Sequence, residues 1–413
     1  MKKKNVFWES LGLASIMSVI FALPVQAAGL QVQTSDVITV LKNCIPYLAV
    51  FAVILVAAVV FCIFCKKYGK KKRKFFRSQA IIVTLLAMVV ILNQLCLGPV
   101  STLLDVVVQE KKEASEESLK EAENLITDIG EEGIVLLKNS GMLPLSENVK
   151  KLNVFGWAST NPCYGGTGSG SVDTSDCVSL LDGLKAGGYD LNETLVDLYT
   201  AYAGTRPEAG MMSVDWTLPE PTMDYYTDEI MEEAKAFSDT AVIVIARIGG
   251  EGTDLPVDFG KKNEDGTDLY TYTNNSKEYN DFEEGQHYLE LNQTEKNMVD
   301  LVCHNFEHVV VIYNSANAME LGWVDEYEQI AAVLCCPGAG ETGFSALGNI
   351  LNGSTSPSGK LADTYVYDLA KTPAYNNFGE FSYDNMDEFG WDERGVMNDV
   401  NFVNYTEGIY VGY

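Results

Sequence analysis

Residues 241–254 read AVIVIARIGGEGTD, an apolar run that stops at an arginine and a glycine-flanked carboxylate. Val242, Ile243, Val244 and Ile245 are consecutive β-branched residues without polar interruption, which predicts a strand covered on both faces, the pattern of a parallel sheet. In open sheets of that kind ligands bind just beyond the carboxyl ends of the strands. Gly249, Gly250 and Gly252 remove side chains from around Glu251, so that backbone and ligand can approach it closely. Glu251 is thereby nominated as a functional carboxylate; a polar turn after a core strand is the plain alternative.

The same pattern recurs on either side. LNVFGW at 152–157 predicts a strand, followed by the loop ASTNPCYGGTGSGSVD and a helix over 178–184. A helix at 228–237 leads into the 241–247 strand, and one at 292–306 leads into HVVVIYN at 308–314. IAAVLCCPGAGETG at 330–343 is again a buried strand ending in glycines, with a helix near 344–351. Four β/α alternations predict an α/β fold with a mainly parallel open sheet sandwiched by helices. The strand ends at Trp157, Arg247, Asn314 and Pro337 then share one edge. Gly165, Gly166, Gly168 and Gly170 could cradle a phosphate, but neither G-x-x-x-x-G-K-[ST] nor G-x-G-x-x-G is present and no lysine is placed to hold one.

Charge divides the 413-residue chain. The first 110 residues carry a net +8 and the remainder −36, within a total of −28. An acidic remainder of that size argues against nucleic acid as a partner, because phosphate binding needs a basic face. Residues 1–28, with Lys2, Lys3 and Lys4 ahead of an apolar stretch ending VQAA, have the pattern of a signal peptide or signal anchor. Residues 45–65 and 80–100 are uncharged runs, each about 31 Å long as a helix and so sufficient to cross a lipid bilayer. KKYGKKKRKFFR at 66–77 holds eight basic residues and no acid. The positive-inside rule makes 66–79 a basic cytoplasmic loop and sends everything after about residue 101 outside the membrane. Residues 101–130 then form a stalk and lead-in helix, and 131–413 the folded domain. No C-x-x-C recurs at zinc spacing, and His287, His304 and His308 are the only histidines, so no metal site is expected. Cys163 and Cys177 bracket the glycine loop and could pair in an oxidising exterior.

Six segments together resemble a known family. EEGIVLLKNSGMLPL, YGGTGSGSV, VIARIGGEGTD, VVVIYNSANAMELGWV, PGAGETGFSALGNILNGSTSPSGKLADT and YTEGIYVGY look, in that order, like the α/β sandwich domain of glycoside hydrolase family 3. The resemblance covers about residues 115–413. It implies retaining hydrolysis of terminal β-linked glycosides, as in β-glucosidases, with no metal or organic cofactor. Such a mechanism needs two carboxylates about 5–5.5 Å apart. The family's nucleophile is an aspartate on a separate (β/α)8 barrel, and its acid/base glutamate carries over onto Glu251.

By the same resemblance Gly165, Gly166, Gly168 and Gly170 border the sugar, and Arg247 and Asp254 are expected to line the substrate site. Arg247 is expected to pair with Asp254 or a backbone carbonyl. To act as an acid near neutral pH, Glu251 would need its pKa raised by burial. SVDW at 213–216 looks like the barrel's S-D-W context but carries an inserted valine and falls within the sandwich, so Asp215 is expected to be a loop residue. No stretch of the chain fits a barrel of about 250 residues. The resemblance therefore implies a member of reversed domain order whose fibronectin type III-like and barrel domains would follow Tyr413. The barrel would be supplied in cis or trans. The alternative is a non-catalytic remnant or a sugar-binding ectodomain.

Overall fold

A computed structural model describes residues 26–27, 30–31, 34–101, 104, 114–207, 214–252, 254–263, 265–362, 364–373, 375, 384–391, 406 and 408–410. Residues 1–25 and 28 of the signal segment, residues 102–103 and 105–113 of the stalk and most of YTEGIYVGY lie outside the described residues.

After a short antiparallel pairing of Gln26–Ala27 with Leu30–Gln31 come two long helices, α1 (Thr34–Phe64) and α2 (Lys70–Leu97), joined by a short turn. Ile38–Lys67 and Lys70–Leu97 are long and apolar enough to cross a membrane. Their side chains face outward, Val53 and Leu86 being 69% and 62% exposed, unlike those of core helices. Arg77 on α2 donates through Nε and Nη2 to the Cys62 carbonyl, at 3.3 and 3.2 Å, and so ties the two helices together. The basic run expected to be a loop is helical from Lys70 onward. Lysine and arginine are good helix formers, and Gly69 is the last residue that interrupts the helical backbone.

The lead-in helix α3 (Glu116–Gly133) starts at Ser115, whose side chain accepts from the Ser118 amide. It runs into β1 (Val135–Asn139). Then come β2 (Lys151–Phe155), α4 (Leu180–Ala186), β3 (Asp190–Leu191), α5 (Glu193–Tyr202) and α6 (Asp228–Phe237). The chain continues through β4 (Thr240–Ala246), α7 (Gln293–Asn305), β5 (His308–Asn314), β6 (Ile330–Cys336) and α8 (Ser345–Asn352). One six-stranded sheet results, in the order β1-β6-β5-β4-β2-β3. Every pairing is parallel except β1 with β6, so the expected parallel sheet gains an antiparallel edge strand.

All seven residues of β4 are buried, as its unbroken apolar run requires. Strand alternation divides them between two cores. Val242, Val244 and Ala246 pack with Val154, Val310 and Ile312 under α4 and α8, through Leu180, Leu184, Leu347 and Ile350. Ile243 and Ile245 pack with Phe155, Val309, Val311 and Tyr313 under α5, α6 and α7, through Leu195, Tyr199, Met231, Met298 and Val302. Helices on both faces leave the carboxyl edge of the sheet as the place where loops collect. A third, aromatic cluster of Trp216, Phe259, Phe282 and Tyr288 holds together the long excursion between β4 and α7.

Candidate active site

The loop after β4 is anchored by Arg247, which is 1% exposed. Its guanidinium has five N–H donors, and all five are used. Nε donates to Tyr288 O at 2.7 Å. Nη1 donates to Ala246 O at 2.9 Å and Glu295 Oε1 at 2.7 Å, and Nη2 to Glu290 O at 2.6 Å and Glu295 Oε2 at 2.7 Å. Glu295 closes the capping box of α7 with Asn292, so the same carboxylate starts a helix and fixes an arginine. The expectation of backbone-carbonyl partners for Arg247 matches this geometry. Pairing with Asp254 does not occur, because Glu295 occupies the fork. A side chain so consumed faces the interior of the loop, so Arg247 supports the site from behind and does not line it. Asp254 itself is exposed, three residues beyond Glu251.

The glycine loop after β2 is positioned by two further buried groups. Asn314, fully buried at the end of β5, accepts from the Cys163 amide at 2.6 Å and donates to the carbonyls of Cys163 and Cys336, both at 3.1 Å. It ties the start of the loop to the ends of two strands. Glu220, 3% exposed, accepts from the Trp157 amide at 2.9 Å and from the Tyr226 hydroxyl at 3.0 Å. Tyr226 in turn pairs with Tyr199 at 2.8 Å. Burial pushes the Glu220 carboxyl up to about 8, against the lowering effect of those two donors.

The folded state thus keeps a proton on Glu220 that the unfolded chain releases above the ordinary glutamate value of 4.5. Stability should fall as pH rises from about 4.5 to about 8, at up to ~1.4 kcal/mol per unit. Glu220→Gln removes this titration. Urea denaturation at a series of pH values is expected to show the variant gaining on the parent across that window, and a constant difference would contradict the assignment.

The two glycine loops interlock. A Cβ on Gly250 would lie 2.3 Å from the Thr167 amide nitrogen, and one on Gly166 would lie 3.0 Å from the Gly249 carbonyl oxygen. Gly168 adopts φ +61°, a left-handed conformation, and a Cβ there would meet Glu251 at 3.0 Å. Gly165 is hemmed in by the Gly170 carbonyl, 2.6 Å from its would-be Cβ, whereas Gly170 faces open space. Of the four expected glycines, Gly165 is required by close backbone approach and Gly168 by its left-handed backbone, Gly166 is tightly hemmed in, and Gly170 is not constrained.

Glu251 sits on this junction, exposed, with its carbonyl accepting from Thr167 Oγ1 at 2.9 Å. Its Oε2 accepts from the Ser169 hydroxyl at 2.5 Å and the Ser169 amide at 3.1 Å. The hydroxyl first, and then the amide, hold the Glu251 carboxyl below the usual glutamate range. Acid function would need the opposite shift, which burial against sugar and apolar walls could give, whereas in this chain the carboxylate is exposed and meets two donors.

Ser169, Asn314 and Glu220 were not among the expected site residues. Asp215 is half-buried, accepts from the Thr217 amide at 3.0 Å and bridges to Thr271, a turn-forming role. Cys163 and Cys177 are free thiols. Among the described residues no cluster of three His, Cys, Asp or Glu side chains is placed to hold a metal.

Known proteins share this architecture. A family model described as the glycosyl hydrolase family 3 C-terminal domain matches residues 134–413. β-Glucosidase A from Butyrivibrio fibrisolvens is 32% identical over 288 residues, which are 68% of this chain and 31% of that protein. A β-glucosidase from Ruminococcus albus is 30% identical over 290 residues, covering 69% of this chain and 25% of that protein. The solved structure of β-glucosidase 3B from Thermotoga neapolitana in complex with glucose matches with a TM-score of 0.50 at 26% identity, covering 71% of this chain and 36% of the other. The chain thus spans between a quarter and about a third of the length of these relatives.

Proposed function

Since the chain belongs to glycosyl hydrolase family 3, residues 134–413 being the family's C-terminal domain, we propose that it supplies the acid/base half of a retaining β-glucosidase-type site, with Glu251 as the general acid/base. The observation that carries this reading is the interlock of two glycine loops that presents Glu251 at the carboxyl edge of the sheet. In the first step, protonated Glu251 gives its proton to the glycosidic oxygen while the nucleophilic aspartate of a barrel domain attacks the anomeric carbon. In the second, Glu251 as carboxylate takes a proton from the water that displaces that aspartate.

The low pKa of Glu251 in this chain fits half a site. A covering barrel would remove water from Glu251 and bring a second negative charge beside it, and both effects push a carboxyl up. The lead-in helix α3 leaves Leu119, Leu125 and Ile129 50%, 58% and 59% exposed, apolar surface of the kind a further domain covers. Gly165, Gly166 and Gly168 would let a β-linked glycoside lie against backbone, with Gly170 and Asp254 at the rim. Two helices, α1 and α2, would anchor the chain in the bilayer, with the domain on the extracytoplasmic side.

One carboxylate cannot complete a double displacement. The full chain in detergent micelles is expected to hydrolyse an aryl β-glucoside no faster than solvent. Turnover abolished by Glu251→Gln would overturn the half-site reading.

A further inference from the structure

Glu251 and Ser169 are 82 residues apart in sequence and meet only because two glycine loops cross. Around Gly168–Gly170 the chain makes a single tight turn, which aims both the amide and the hydroxyl of Ser169 at one carboxylate oxygen. Gly168 is buried and allows no side chain between that turn and Glu251. A carboxylate on an exposed, glycine-flanked loop would otherwise sample several rotamers, and a two-donor clamp restricts it to one.

We propose that Ser169 is a positioning residue of the acid/base site, fixing Oε2 of Glu251 through both halves of the double displacement. The inference rests on reading Glu251 as the acid/base. A hydroxyl both donates and accepts, so the Ser169 contact survives when Glu251 changes from acid to carboxylate. The amide only donates and so favours the carboxylate, the form needed to activate water in the second step. Ser169 therefore orients the group throughout and biases it toward its role as base. The lowered pKa of Glu251, attributable first to the hydroxyl, agrees with this geometry.

The test uses the full chain in detergent micelles, labelled with ¹³C at the glutamate carboxyls, the Glu251 signal being the one lost in Glu251→Gln. In the parent, Glu251 should titrate below the ordinary glutamate midpoint. In Ser169→Ala the midpoint should move up toward that value, and in Ser169→Thr, which keeps the hydroxyl, it should stay with the parent. A purely structural role for Ser169 would not produce this split. An unmoved midpoint in Ser169→Ala, or an equal upward shift in both variants, overturns the proposal. The titration reads the contact without any turnover, so a Ser169 effect combined with an active barrel-bearing graft in which Glu251→Gln keeps the parent rate would sink the acid/base reading alone.

Discussion

Arg247→Ala is expected to destabilise the domain by about 3–5 kcal/mol, the cost typical of removing one partner from a buried ion pair. Two losses add together. Glu295, with its side chain 6% exposed, would be left as a buried charge without its cation. The carbonyls of Ala246, Tyr288 and Glu290 would lose their guanidinium donors around a side chain that is 1% exposed. Arg247→Lys should recover little, because three donors on one nitrogen cannot serve five directions. Nor should the paired change to Met at both 247 and 295 restore stability, since it leaves the three carbonyls unmet. The urea midpoint of each variant checks this, and Arg247→Ala within about 1 kcal/mol of the parent would contradict it. The consequence reaches the site, because Arg247 is the fixed point from which residues 248–252 carry Glu251 outward.

Much of the scaffold was legible. The helix at 228–237 and the strand at 308–314 appear with their expected limits, since an N-capping Thr227 and an unbroken β-branched run are local signals. The antiparallel direction of β1 was not legible, because a five-residue strand, VLLKN, carries no mark of which neighbour it will join. The segment holding β3 and α5 was not assigned from the sequence, although Asn192 caps α5 and leaves a local signature.

Within the site, the glycines announced the loops, but the side chains that work there did not. Arg247 meets Glu295 across 48 residues and Trp157 meets Glu220 across 63, and such pairings are properties of the fold. Ser169 was hidden among small residues whose visible signal is backbone freedom. The direction of the Glu251 pKa shift was illegible for the same reason, since burial and hydrogen bonding are set by what lies opposite.

Glu251 is proposed as an acid/base residue able to work once a nucleophile-bearing barrel is beside it. General acid/base catalysis contributes about 10²–10⁴-fold to rate. That loss should be largest for a glycoside whose leaving group must be protonated. It should be smaller where the leaving group departs unaided, because only the second step then needs the residue. Azide, which attacks the glycosyl-enzyme without help from a base, should restore that second step in a variant lacking Glu251.

The most direct measurement grafts residues 114–413 in place of the equivalent domain of the Butyrivibrio fibrisolvens β-glucosidase A. Turnover of an unactivated β-glucoside is then compared for the graft and its Glu251→Gln variant, and of an activated aryl β-glucoside with and without azide. The predicted result is a loss of about 10²–10⁴-fold in Glu251→Gln on the unactivated glucoside, with azide accelerating the variant on the activated one and giving the β-glycosyl azide. An active graft in which Glu251→Gln keeps the parent rate would contradict the claim.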